Sequence, residues 1–161
     1  MPPTRFFGAK RTVLRWAGAK IDENVRCVSS ATFLLGGPLA IKRDTWIGHD
    51  VLIVGGDAAV TIGESCDVAP RVTFATGSHQ IRDVGPRVAG AGYSLPITIG
   101  DGSWICTGAT ILGGTTIGER SIVAAGAVVK GNFPPRSLIG GVPARVIRDL
   151  SSSTLGTECD G

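Results

Sequence analysis

The chain has 161 residues, 24 of them glycine, with 6% aromatic residues and a formal net charge of +3. This length is sufficient for one domain with a hydrophobic core. So small a net charge gives no support for a nucleic-acid partner. No apolar run is long enough to cross a membrane, so we expect no membrane insertion.

The first twenty residues do not share the pattern of the rest. They carry basic residues but only short apolar patches, such as Phe6-Phe7 and Val13-Leu14, which lack the apolar block of a signal peptide. We therefore expect a cytoplasmic protein. We also predict that residues 1–20 form a short helix or a lead-in strand that caps the next domain, because an exposed sheet edge invites pairing with other chains.

From Ile21 the sequence repeats with a period of six, loosely at first and strictly from Ile99 to Val129. Aliphatic residues take the first place of each strict repeat: Ile99, Ile105, Ile111, Ile117, Val123 and Val129. Small residues take the fifth place: Ser103, Ala109, Thr115, Ser121 and Ala127. This period indicates a parallel β-solenoid with three hexapeptides in each triangular coil. We predict about five to six coils over residues 21–148, with first-place residues in the core and glycines at the corners, where a positive φ is needed.

Two segments lie outside the repeat. Residues 80–95 have no period and contain Gly85, Pro86 and Gly90, so we predict a long loop that projects from the side of the solenoid. The last residues, 149–161, are rich in Ser, Thr and Gly, and we predict a flexible tail.

The four cysteines do not have the spacing of a metal site. Cys27, Cys66 and Cys106 fall on aliphatic or small positions of the repeat, so we interpret them as small buried residues. Cys159 lies in the tail, where we predict an unpaired thiol. We therefore expect no bound metal.

Three stretches are more specific than the repeat: Thr76-Gly77-Ser78-His79, the run from Tyr93 to Ile105, and the ending from Gly140 to Arg148. In this order they resemble the hexapeptide-repeat acyltransferases, most closely the galactoside, maltose, nodulation-factor and exopolysaccharide O-acetyltransferases. The resemblance covers about residues 41–148 and implies an all-β fold, the left-handed parallel β-helix. The sequence lacks the longer N-terminal helical segment of the maltose and galactoside enzymes. It also has Lys130-Gly131 where those enzymes usually carry Thr-Lys.

The resemblance implies transfer of an acetyl group from acetyl-CoA to a hydroxyl group of a sugar or glycan precursor. A neutral hydroxyl group that keeps its proton is a poor nucleophile. An imidazole that accepts this proton accelerates such a transfer by about 10²–10⁴-fold. In the resembling family the histidine that matches His79 is this general base. The acceptor attacks the thioester directly, and no acyl-enzyme forms. The family also implies a homotrimer with each site between two subunits.

Three residues are candidates for the acceptor site. Asp57 aligns with a family carboxylate that hydrogen-bonds the acceptor, although Asp after two glycines is also a common turn residue. His49 falls where the sugar enzymes have an acceptor-contacting Asn, and a solvated corner is the alternative. Trp104 lies outside the buried pattern, so its ring is expected on the outer face, either as a wall of the site or in subunit packing.

Five residues are candidates for coenzyme A. Thr107 and Ala125 lie eighteen residues apart and are expected to stack on one edge in successive coils. The resemblance assigns them backbone contacts with the pantetheine arm. The phosphates require cations. Arg145 and Arg148 match family positions directly, and Lys130 is offset by one residue.

Other functions remain open at the level of sequence. The same fold and base would serve an amino-sugar N-acyltransferase or a serine O-acetyltransferase, although serine acetyltransferases usually have a long helical N-terminal region. A zinc hydratase of the γ-class carbonic anhydrase type needs three His ligands, and this chain has only His49 and His79. A structural β-helix subunit without affinity for the coenzyme is the non-enzymatic alternative.

Overall fold

The structure, a computed structural model, describes residues 4–151 as one helix followed by a three-sided solenoid of about six turns. The helix is α1 (Phe7–Trp16). The first coil contains β1 (Lys20–Ile21), β2 (Arg26–Cys27) and β3 (Thr32–Leu35), and the second contains β4 (Leu39–Ile41), β5 (Trp46–Ile47) and β6 (Leu52–Gly55). The third contains β7 (Val60–Ile62), β8 (Asp67–Val68) and β9 (Thr73–Ala75), and then the lateral strands β10 (Gly77–Ile81) and β11 (Ala89–Ser94).

Three further coils complete the solenoid. The fourth contains β12 (Ile97–Ile99), β13 (Trp104–Ile105) and β14 (Thr110–Leu112), and the fifth contains β15 (Thr115–Ile117), β16 (Ile122–Val123) and β17 (Val128–Val129). The sixth contains β18 (Asn132–Phe133), β19 (Ser137–Gly141) and β20 (Ala144–Asp149), which returns antiparallel to β19.

Each side of the solenoid is one parallel sheet. The first side has the order β1-β4-β7-β12-β15-β18, the second begins β2-β5-β8-β13-β16-β19, and the third is β3-β6-β9-β14-β17. Equivalent places of the repeat pair across coils; for example, Ile99 lies beside Ile62 and Ile117. The predicted all-β solenoid is confirmed, and its arrangement agrees with the left-handed helix that the resemblance implies.

The first-place residues of the strict repeat form the core, as predicted. All are buried: Ile99, Ile105, Ile111, Ile117, Val123 and Val129. The small fifth-place residues are also buried, and the two serines among them pair with the next coil. The Ser103 Oγ accepts a hydrogen bond from the backbone N–H of Ser121 at 3.3 Å, and the Ser121 Oγ accepts one from Ser137 at 3.2 Å. A polar corner is therefore buried without leaving these hydroxyls unpaired.

The prediction that glycines supply the corners is only partly right. At the corner before the second side, positive φ values belong to Gly102 but also to Asn24 (57°), Asp44 (60°) and Arg120 (54°). Several glycines are needed instead because the next coil passes close by. A Cβ at Gly100 would collide with the backbone of Glu119, although the φ of Gly100 is not in the positive region.

The helix α1 covers the open end of the first coil. The Phe7 ring meets Trp46 edge to face, with the ring centroids 5.9 Å apart. The Arg11 Nη1 donates to the Val25 carbonyl at 3.1 Å, and the Arg15 Nε donates to the Ile21 carbonyl at 2.7 Å. The boundaries 1–20, 21–148 and 149–161 stay predictions; most of the predicted tail, with Cys159, lies outside the described residues.

The irregular segment at 80–95 is part of an antiparallel hairpin, β10–β11, which begins earlier than predicted, at Gly77. Both of its strands are largely exposed. A hairpin with no buried face has no alternation of apolar residues, and the sequence therefore gives no strand signal there. Over residues 4–151 no helix is long and apolar enough to cross a membrane.

Candidate active site

His79 lies on β10, opposite Gly92 of β11. Its Nδ1 is 3.0 Å from the carbonyl oxygen of Gly90. A carbonyl oxygen only accepts hydrogen bonds, so Nδ1 carries the proton and donates it. In the neutral ring Nε2 is then an unprotonated acceptor, and within residues 4–151 it has no hydrogen-bond partner. The exposed imidazole therefore has the form that a general base requires.

A cleft of about 450 Å³ joins His79 to Asp57. Its lining residues come from two coils: Gly55, Gly56, Asp57, Gly77, Ser78, His79, Gly92, Tyr93 and Ser94. Asp57 is exposed at the corner that follows β6, and the hairpin leaves the solenoid at the same corner of the next coil. The two described salt bridges do not involve Asp57, so its carboxylate can accept hydrogen bonds from a bound molecule.

Close backbone contacts fix the hairpin relative to Asp57. The Thr76 side chain is 1% exposed, and its Oγ1 occupies the space that a Cβ at Gly55 would need. The Ser94 Oγ accepts a hydrogen bond from the Ala58 N–H at 3.1 Å, which joins the end of the hairpin to the residue after Asp57. Both ends of the hairpin are therefore anchored to the corner that carries Asp57.

Sequence reasoning did not assign site roles to Gly90, Thr76 and Ser94. The contact of His79 with Gly90 depends on the register of the hairpin, which the period of six does not report. Thr76 opens the Thr-Gly-Ser-His stretch, and the glycines on either side of the cleft were visible as interruptions of the repeat. In the sequence, those glycines are the feature that indicates a close approach of two backbone segments.

Lys130 lies on the other side of His79. It follows β17 and shares a depression of about 670 Å³ with His79, Gln80 and Tyr93. The exposed ammonium group therefore faces the same space as the imidazole. Its predicted contact with coenzyme phosphate stays a prediction.

The candidates His49, Thr107 and Ala125 lie on a different edge of the solenoid. They occupy the corner between the second and third sides, where the Gly126 N–H donates to the Thr107 carbonyl at 3.0 Å and so stacks the coil of Ala125 on that of Thr107. His79 and Asp57 lie beyond the opposite ends of the third-side strands. Those strands span two to four residues, or about 7–13 Å. A single chain therefore does not bring these two groups together.

The remaining candidates lie on the second side or its extension. Trp104 is on the outer face, 51% exposed, between Asp67 and Ile122 in register. Arg145 and Arg148 lie on β20, and both are exposed. None of these three residues lines the cleft of His79.

Burial raises the pKa of each of the three thiols in residues 4–151, Cys27, Cys66 and Cys106. Cys106, which precedes Thr107, is half-buried, and its burial raises the pKa of the thiol. A raised pKa keeps the thiol protonated near neutral pH, and the protonated form is the unreactive one. Among residues 4–151 no group of three or more His, Cys, Asp or Glu side chains is placed to hold a metal ion.

Comparison with known proteins gives a consistent result. The pattern of the family described as bacterial transferase hexapeptide (six repeats) matches residues 96–131. The galactoside O-acetyltransferase of Escherichia coli K12 is 34% identical over 88% of this chain and 69% of its own length. The chain belongs to the hexapeptide-repeat acetyltransferases. It is therefore an acyltransferase.

Two solved members of this family have a similar fold. A hexapeptide-repeat acetyltransferase of Vibrio cholerae, complexed with acetyl-CoA, superposes with a TM-score of 0.65 at 32% identity, covering 91% of this chain and 79% of its own. A maltose O-acetyltransferase of Clostridium difficile has a TM-score of 0.56 at 28% identity, with coverage of 82% and 66%.

Proposed function

We propose that the chain transfers the acetyl group of acetyl-CoA to a hydroxyl group of a sugar or glycan precursor, with His79 as the general base. The observation that carries the proposal is the cleft that His79 shares with Asp57, where Nε2 of the imidazole has no partner within the described residues. The complex of the Vibrio cholerae relative with acetyl-CoA supports the donor. The names of the galactoside and maltose enzymes support a sugar acceptor.

In this mechanism the His79 Nε2 takes the proton of the acceptor hydroxyl while the hydroxyl oxygen attacks the thioester carbonyl. A tetrahedral intermediate forms, and its C–S bond then breaks. The imidazolium returns the proton to the leaving sulfur, so the ester and free coenzyme A are released with the base restored. The Gly90 carbonyl stabilises the imidazolium through the Nδ1–H group. Asp57 accepts a hydrogen bond from another hydroxyl of the acceptor.

The proposed site is shared between copies of the chain. The base lies at one end of the third-side strands, and Thr107 and Ala125 lie at the other end. Within one chain, the base and the coenzyme edge therefore do not meet. A closed homotrimer would set the His79 corner of one copy against the Thr107 edge of the next. Trp104 and His49 then lie at this junction, where they would contact the acceptor.

The proposed coenzyme site uses backbone groups for the arm and cations for the phosphates. The Thr107 carbonyl is occupied by Gly126, so its N–H and the groups of Ala125 are the candidates for pantetheine. Arg145 and Arg148 are exposed guanidinium groups of the kind that bind phosphate. Acetyl-CoA is made inside cells, and the proposal therefore places the enzyme in the cytoplasm.

A thiol-release assay tests the proposal. Acetyl-CoA is the donor, and a panel of sugars and nucleotide sugars supplies the acceptors. We expect transfer to at least one sugar, and we expect His79→Gln to lower its rate by at least about 100-fold, because the proton of the hydroxyl no longer has an acceptor. Calorimetry should show that His79→Gln still binds acetyl-CoA, since the base does not hold the coenzyme.

Arg82→Gln is the matched control, because it changes another exposed side chain of the same hairpin segment and leaves the imidazole intact. It should retain the wild-type rate. A near-normal rate in His79→Gln would contradict the assignment of the base. Failure of the unaltered chain to bind acetyl-CoA would instead favour the structural-subunit alternative.

A further inference from the structure

The helix α1 has two apolar faces, and only one of them packs on the solenoid. Phe7 and Leu14 face the solenoid, where Phe7 meets Trp46 of the second coil. The other face carries Ala9, Val13 and Trp16, whose spacing of four and three residues places them in one stripe, and the exposed Phe6 directly precedes the helix. Phe6 is 63% exposed, Val13 is 51% exposed and Trp16 is 84% exposed. We call these four residues the outer stripe.

Basic residues are concentrated in the segment that carries the outer stripe, and three of them, Lys10, Arg11 and Arg15, pack on the solenoid side. Five of the 16 basic residues of the chain lie between positions 4 and 21, whereas none of its 13 acidic residues does. The rest of the sequence therefore has a net charge of −2, so the positive charge of the protein is concentrated at this end. Asp22 and Glu23 follow at the next corner, where they share a depression with Arg15. Arg5 lies before the helix and Lys20 after it, and both are exposed.

We propose that this end of the solenoid docks on an anionic lipid surface, with the outer stripe in the headgroup region and the exposed cations Arg5 and Lys20 on lipid phosphates. A short helix that has exposed Trp and Val on one face, an exposed Phe directly before it and basic residues beside them has the composition of an interfacial helix. Anionic headgroups attract such cations by about 1 kcal/mol for each one near the surface. The helix is too short to span a bilayer, so it would lie in the plane of the interface.

The charge distribution favours a lipid surface over a second copy of the chain. Two outer stripes packed against each other would bring two sets of like charges together, which is costly. Nucleic acid would use the cations but would leave Val13 and Phe6 exposed. An anionic bilayer accommodates both the apolar stripe and the charge. This inference goes beyond the proposed reaction and does not depend on it.

Vesicle sedimentation of the full chain tests the inference. We expect binding to vesicles of equimolar phosphatidylcholine and phosphatidylglycerol, and none to phosphatidylcholine alone. Raising the NaCl concentration from about 0.1 M to about 0.5 M should weaken the binding about tenfold, because salt screens the cations. Val13→Gln with Trp16→Gln should also weaken it at least about tenfold, because the apolar contact is lost.

Matched double variants separate the stripe from general effects. Val142→Gln with Ile147→Gln removes two exposed apolar side chains near the other end of the solenoid and should bind like the unaltered chain. Arg5→Gln with Lys20→Gln should reduce binding about tenfold. Arg82→Gln with Arg87→Gln removes the same charge from the hairpin and should leave binding unchanged.

Fluorescence gives a second measurement, which starts from the unaltered chain. Trp16 emission should be quenched by vesicles that contain brominated lipid, and Trp16→Phe should remove that quenching while the protein still binds. No binding to anionic vesicles at low salt would overturn the proposal. So would equal binding by the Val13→Gln, Trp16→Gln variant, or its dissociation into smaller species in ultracentrifugation, which would identify the stripe as an interface between copies.

Discussion

At the scale of single residues, a backbone carbonyl selects the tautomer of His79. The Gly90 oxygen accepts from Nδ1, so the neutral ring should carry its proton there and leave Nε2 free. Nitrogen-15 NMR of the neutral imidazole should show the Nδ1–H form at His79. His49 is the internal control, since its Nδ1 lies 3.5 Å from the Ser30 hydroxyl, which can donate or accept. A dominant Nε2–H form at His79 would contradict the assigned orientation of the base.

Cys27 provides a second prediction at this scale. Burial raises the pKa of its thiol to about 11, and the charge of Lys10 opposes that rise only in part. The thiolate is the reactive form of cysteine. Alkylation of Cys27 by iodoacetamide at pH 8 should therefore be at least about 100-fold slower in the folded protein than in the denatured protein. Its rate should rise as the pH approaches 11. Mass spectrometry of the Cys27 peptide measures this rate, and equal labelling in both states would be inconsistent with the buried thiol.

The sequence identified His79 and Asp57, and the structure places them in one cleft. Their motif and their position beside interruptions of the repeat made this possible. Gly90, Thr76 and Ser94 could not be assigned in the same way, because their contacts depend on how the hairpin folds back on the corner. Cross-strand register is set by tertiary contacts, and no periodic signal in the sequence reports it.

At the scale of elements, the repeat predicts the coils because consecutive residues of each short strand alternate between the core and the outer face. The hairpin β10–β11 escapes the same reasoning, since neither of its strands buries a regular face. The small residue that follows many first-place aliphatics also has a structural cause. At Gly100 the next coil lies so close that a side chain has no space.

This close approach predicts the effect of Gly100→Ala. The new Cβ would collide with the backbone of Glu119, which cannot move without separating two coils. We expect the free energy of unfolding to fall by about 1–3 kcal/mol in denaturant titration. Thr98→Ala changes an exposed position of β12, the strand that ends just before Gly100, and should stay within about 0.5 kcal/mol of the unaltered protein. Equal stabilities of the two variants would show that the coils can separate at little cost.

At the scale of the whole molecule, the solenoid keeps the base and the proposed coenzyme edge apart. His79 and Asp57 lie beyond one end of the third-side strands, and Thr107 and Ala125 lie beyond the other. A sequence repeat shows which residues share an edge, but it does not show how copies of the solenoid meet. The shared site therefore stays a proposal about assembly, and the two edges of one chain are its physical basis.

Co-expression of two inactive variants tests this shared site most directly. One variant is His79→Ala, and the other combines Arg145→Ala with Arg148→Ala. In a randomly mixed trimer, about a quarter of the sites would combine an intact base from one copy with intact cations from its neighbour. We therefore expect the mixed protein to recover about a quarter of the wild-type acetyl-transfer rate. A rate no greater than that of the two variants measured separately would contradict a site built from two chains.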